Sequence, residues 1–162
     1  MSATMRTFSS RRLDPLLAPM LHTLPGERGR DAVLPFRNLR RGVQLGLPSG
    51  QAIADEIGVA RLSETDMQQG PDGAAAAAHG LHRSSPLWYY ILKEAQVMHG
   101  GERLGPVGTT IVAETFLGFV HGDHGSFLWQ RRNWMPELPR ADDRRFTMVD
   151  LLAFVDDINP VG

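Results

Sequence analysis

Seventeen glycines and eleven prolines are spread along 162 residues. This punctuation limits what the chain can build. Proline blocks the interior of a helix or a central strand, and glycine ends elements through left-handed conformations. Regular elements must be short and joined by many loops. No segment between the breaks sustains an apolar–polar alternation, so no sheet is expected, whereas several segments show helical spacing. Hydrophobic residues make up 42% of the chain, enough for a core and against wholesale disorder.

The spacing predicts four or five helices in an irregular, loop-rich, all-α assembly. Residues 1–12 read as a flexible lead and residues 157–162 as a tail, with one domain over 13–156. Residues 13–25 carry three prolines and read as an irregular stretch or a single helical turn. From Ala32 to Leu45, the residues Leu34, Asn38, Arg41 and Leu45 share one helical face. Gly46 ends that run. A short helix follows over 48–58, with Pro48 at its start and Gly58 beyond its end. Residues 59–85 read mostly as loop, because Gly73 and Gly80 closely bound the alanine run 74–78. The segment 86–99 is the clearest helix, with Ser85 as a cap and Gly100-Gly101 as a stop. It is apolar on more than one side, which predicts deep burial. A second core helix is expected over 104–120, a loop over 122–146, and a last helix over 146–155 with Thr147 as N-cap.

Composition excludes several classes of function. The net charge is −1, so no polyanion-binding footprint exists. No cysteine is present, which removes disulfides, thiolate metal sites and cysteine nucleophiles. No apolar run approaches the ~18 residues that span a bilayer, and the first residues lack an apolar signal region. Location therefore reads as cytoplasmic by default. No phosphate loop, serine elbow or carboxylate pair stands out. His121-Gly-Asp-His124 gathers two histidines and a carboxylate, but a glycine-flanked loop preorganises a metal poorly, so a solvated loop is the better reading. His79, His82 and His99 are scattered near loops and helix ends. Trp88, Tyr89 and Tyr90 could stack on a ligand, but a buried helix explains them better.

Four stretches, in order, carry a resemblance. They are Arg37-Asn-Leu-Arg-Arg-Gly-Val-Gln-Leu-Gly-Leu-Pro-Ser49, Pro86-Leu-Trp-Tyr-Tyr-Ile-Leu-Lys-Glu94, Arg103-Leu-Gly-Pro-Val-Gly through Glu114, and Phe146-Thr-Met-Val-Asp-Leu-Leu. Together they resemble the animal-type heme peroxidases, the peroxidase–cyclooxygenase superfamily with its bacterial members. The first is similar to the family's Asn-x-x-Arg-Gly-Arg-Asp-His-Gly-Leu-Pro segment, although Val43-Gln44-Leu45 stands where the family has Arg-Asp-His. The resemblance covers about residues 13–156 and only the C-terminal part of the family's catalytic domain.

The resemblance implies a heme-dependent oxidoreductase in which hydrogen peroxide oxidises a small donor. It also implies that the proximal and distal histidines lie outside this chain, so no catalytic residue is expected here and the isolated chain is expected to be inactive. Asn38 matches the family asparagine that accepts the proximal imidazole's ring N–H, a contact that tunes electron donation to iron. Arg41 would pair with a heme propionate. Leu34 and Leu45 would wall the proximal pocket. The alternative is a non-catalytic helical module that binds a chain carrying the N-terminal half of the peroxidase domain, or another protein. A third reading is a gene product without independent function. Marginal stability is expected, because helices adapted to such a domain would lack packing partners.

Overall fold

The computed structural model describes residues 11–155, which divide into two compact units, 11–116 and 117–155. Apart from Arg11 and Arg12, the expected lead over 1–12 lies outside the described residues, as does the tail over 157–162.

The first unit begins with two 3-10 turns, Pro19–His22 and Gly29–Ala32. Helix α1 follows over Leu34–Gln44 and ends as Gly46 takes a φ of 61°. Helix α2, Gly50–Glu56, is capped by Ser49, whose hydroxyl accepts the Ala52 N–H at 3.1 Å. Pro48 therefore sits just before the cap. Helices α3, Glu64–Met67, and α4, Gly73–Ala78, lie where the sequence reads mostly as loop. The correction has a local cause. Ser63 and Asp66 form a reciprocal capping box, with Ser63 Oγ accepting the Asp66 N–H at 3.0 Å. The alanine run then follows its intrinsic preference for helix.

Helix α5, Leu87–His99, is the centre of this unit. It packs on α1 and α2. Tyr90 is fully buried with Ala54, Leu62, Met67 and Val107. Gly50 sits against the Tyr90 ring, and a Cβ there would fall inside it. Ser85 is not the cap of α5. It instead donates its N–H to Gln51 Oε1 at 2.9 Å and accepts from Gln51 Nε2 at 3.1 Å. These bonds tie the α5 entrance to α2, 34 residues away in sequence.

Helix α6 spans Pro106–Gly122, and the boundary between the units falls within it, after Phe116. Its first turns are buried at Val107 and Gly108, whereas Val112 and Phe116 are exposed. The expected core helix is thus a core helix only at its start. In the second unit, the expected 122–146 loop contains a short helix α7, Phe127–Gln130. Helix α8 is Met148–Val155. Thr147 caps it as read from sequence. Its N–H and hydroxyl donate to Asp150 Oδ2 at 2.7 and 2.6 Å, and Asp150 N–H donates back to Thr147 Oγ1 at 3.4 Å.

The described residues therefore hold eight helices rather than four or five. The surplus is the three short helices α3, α4 and α7, each of at most six residues. No strand occurs among the described residues, only isolated bridges such as Ser49 to Pro86. The all-α class holds.

Candidate functional site

Helix α1 carries the residues singled out from sequence. Leu34, Asn38 and Arg41 line one open depression of about 420 Å3, together with Asp31, Arg37 and Arg40. Asn38 and Leu34 are half-buried and Arg41 is exposed. Leu45 follows the last turn, is exposed, and lies outside this depression. Two of the arginines are held by acids. Arg37 pairs with Glu27 at 3.5 Å, and Arg40 with Asp31 at 3.4 Å. Arg41 has no acidic partner among the described residues.

Asn38 also borders a second, smaller cavity. This pocket measures about 130 Å3 and is walled by Leu39, Gly42, Leu47, Leu87 and Trp88. It lies between the faces of α1 and the start of α5. Asn38 is thus a shared wall, with guanidinium groups on one side and apolar side chains on the other. Its amide makes no hydrogen bond to another described residue. No histidine lines either cavity. The residues here do not by themselves fit an axially ligated heme.

The most developed polar constellation lies elsewhere, on the far part of α5. Lys93 and Glu94 are both fully buried. Lys93 Nζ donates to Asp72 Oδ1 and Oδ2 at 2.9 and 3.1 Å and to the Gln69 carbonyl. Tyr89 O–H donates to Asp72 Oδ2 at 2.5 Å. Burial pushes the Tyr89 phenol well above the ordinary tyrosine range, and the neighbouring Asp72 carboxylate adds to it. Tyr90 O–H accepts the Leu62 N–H at 2.9 Å, and burial raises its pKa too.

Glu94 faces the start of α6. Its carboxylate accepts the Val107 N–H at 3.0 Å and the Gly108 N–H at 3.2 Å. These are donors that a helix start leaves without intrahelical partners, and the dipole there favours negative charge. Burial nonetheless raises the Glu94 pKa, with the two N–H bonds pulling against it. Gly105 leaves room for this approach, since a Cβ there would strike the Glu94 side chain.

Sequence reading singled out Trp88, Tyr89 and Tyr90 as core residues but passed over Lys93 and Glu94. Tyr90 is buried, whereas Trp88 and Tyr89 are half-buried. The missed signal is an adjacent lysine and glutamate inside a helix expected to be deeply buried, since buried charges are rare unless paired. The Lys93 group opens onto neither cavity bordered by Asn38. Its chemistry is that of a tie between α5 and the 69–72 segment.

In the second unit, His124 stacks on Trp129 at 5.5 Å and His121 meets the same ring edge-on at 5.3 Å. Trp129 Nε1 donates to the His121 carbonyl at 2.7 Å. The two histidines are thus arranged around an indole. No cluster of metal-ligating side chains occurs among the described residues. No helix among them is long and apolar enough to cross a membrane. No protein-family model, curated protein or solved structure matches this chain.

Proposed function

We propose that this chain is the helical, non-catalytic part of a heme peroxidase-type oxidoreductase, completed by a polypeptide that carries the iron-ligating and distal histidines. The observation that carries the reading is Asn38, a half-buried amide at a cavity wall with no partner among the described residues. Such an amide is free to accept an imidazole N–H from an added segment, and Arg41 beside it is free to donate to a carboxylate. Bound heme would supply the peroxide chemistry; this chain would supply the orienting acceptor and the arginine. Among the described residues, no histidine lines either cavity beside Asn38.

The test is a hemin titration of the chain alone and together with a peroxidase segment bearing both histidines. The chain alone should show no histidine-type Soret band and no peroxide turnover. The mixture should show the band, and Asn38→Val should alter it. Peroxidase turnover by the chain alone would overturn the proposal, as would a mixture indifferent to Asn38.

A second reading is a helical module that binds a protein partner without any heme. It is favoured by α6, where Val112, Phe116, Leu117 and Phe119 are exposed, Phe119 at 71%. Co-purification with a defined partner lacking any peroxidase histidine would select it.

A further inference from the structure

We propose that the pocket at Trp88 and the arginine depression of α1 form one composite site for a small aryl carboxylate. The inference needs neither heme nor a second polypeptide, and it stands or falls apart from the peroxidase reading. Three observations carry it. The pocket is about 130 Å3 and walled largely by apolar side chains, with Trp88, Leu39, Leu47 and Leu87 among them. An apolar cavity of about 150 Å3 holds one benzene ring, so one aromatic ring is the size class that fits. Asn38 forms part of this wall and also part of the depression next to it. Asn38 is the residue the two linings share, and Arg41, which lines the depression, lies three residues on in the same helix, within reach of a head group that passes Asn38.

The charge of the depression selects the ligand's head group. Arg37 and Arg40 are engaged by Glu27 and Asp31. Arg41 has no acidic partner among the described residues and lines the same depression. A planar guanidinium offers two parallel N–H donors that match a carboxylate. The Asn38 amide NH2 can add a third donor, while its oxygen is the atom the peroxidase reading uses. An aromatic ring bearing one carboxylate satisfies both halves at once. A neutral ring would fill the pocket but leave Arg41 unanswered, and an alkyl anion as small as acetate would leave the pocket empty.

The structure also supplies a position from which to block the pocket. Gly42 lines it, and a Cβ at that position meets only Leu47 Cδ1, at 3.9 Å, an ordinary contact. Gly42 lies inside α1, where leucine favours the helix over glycine. Gly42→Leu should therefore keep or raise the melting temperature while filling the space.

The experiment is a ligand-observed NMR titration of the whole chain with benzoate, benzamide and acetate. Benzoate should bind saturably, at least tenfold more tightly than benzamide, and acetate should show no saturable binding. Gly42→Leu should abolish benzoate binding with the melt intact. Arg41→Gln, at an exposed position, should reduce benzoate to the level of benzamide. Absence of saturable benzoate binding would overturn the proposal. So would benzamide binding as tightly as benzoate, or benzoate binding unchanged in either variant.

Discussion

The two units of this chain bury different things. In 11–116, Tyr90, Met67 and Val107 are fully buried beside the charged residues Lys93 and Glu94. Among the described residues of 117–155, Asp150 alone is buried, while Phe119, Met135, Met148 and Val149 are all more than 60% exposed. Both units cap helices with acids, but the settings differ. Glu94 reaches across from α5 to the start of α6, whereas Asp150 closes a box with Thr147, three residues away. Long-range polar bonds of the first kind hold separate elements together; bonds of the second kind shape one turn. The contrast teaches that stability in this chain should be unequal, concentrated in 11–116.

The sharpest way to break this contrast is to remove the buried ammonium. Lys93→Ala strips Asp72 of its cation and leaves a cavity in the wall of α5. Loss of one partner of a buried ion pair costs about 3–5 kcal/mol. Chemical denaturation of the 11–116 transition should show a loss of that order. A change below 1 kcal/mol would mean that the first unit is no better tied than the second.

A middle-sized effect is expected at Glu94. Glu94→Ala leaves the Val107 and Gly108 N–H groups without this acceptor, a loss of about 1–3 kcal/mol. The pH dependence separates charge from hydrogen bonding. Burial raises the folded-state pKa of Glu94 above its ordinary 4.5. The folded form therefore holds this proton more tightly than the unfolded chain. The contribution of that proton is fully present below about pH 4.5 and is lost as pH rises through the raised value. Glu94→Gln should flatten this part of the stability–pH curve.

The smallest effect belongs to Asp150. The Thr147 hydroxyl, with the Ala141 and Thr147 N–H groups, lowers its pKa below the ordinary 3.8. Its contribution is present above that value and is lost as pH falls through the lowered one. Acid thus acts in opposite directions on the contributions of these two carboxylates. Asp150→Asn should speed hydrogen exchange at the Ala141 and Thr147 amides several-fold and leave the 11–116 transition where it was. A shift of that transition would show that the two regions do not melt independently.

How much of this was legible in the sequence follows from distance along the chain. Helices α1, α2, α5 and α8 stand out because their stops or caps are adjacent: Gly46, Gly58, Gly100 and Thr147 act within a turn or so of the ends they mark. The capping box of Ser63 and Asp66 was equally local, and was missed because the surrounding polar residues suggested loop. Ser85 could not be read correctly. It has the chemistry of a cap and the neighbour Pro86, but its partner, Gln51, is remote in sequence. The site divides in the same way. The shared face of Leu34, Asn38 and Arg41 follows from helical periodicity, and these three do line one depression. The apolar pocket on the other side of Asn38 needs α5 alongside, which periodicity in α1 does not supply. The burial of Lys93 depended on Asp72, from a segment whose folding was not anticipated.

Among seventeen basic residues, sixteen are arginine and the remaining one is Lys93. Its ammonium is sealed from solvent. Amine-acylating reagents therefore meet, apart from any free α-amine, a single target that becomes reactive only when α5 parts from the 69–72 segment. The rate of its acylation is a one-site clock for opening of the interior, with no label introduced and no residue changed.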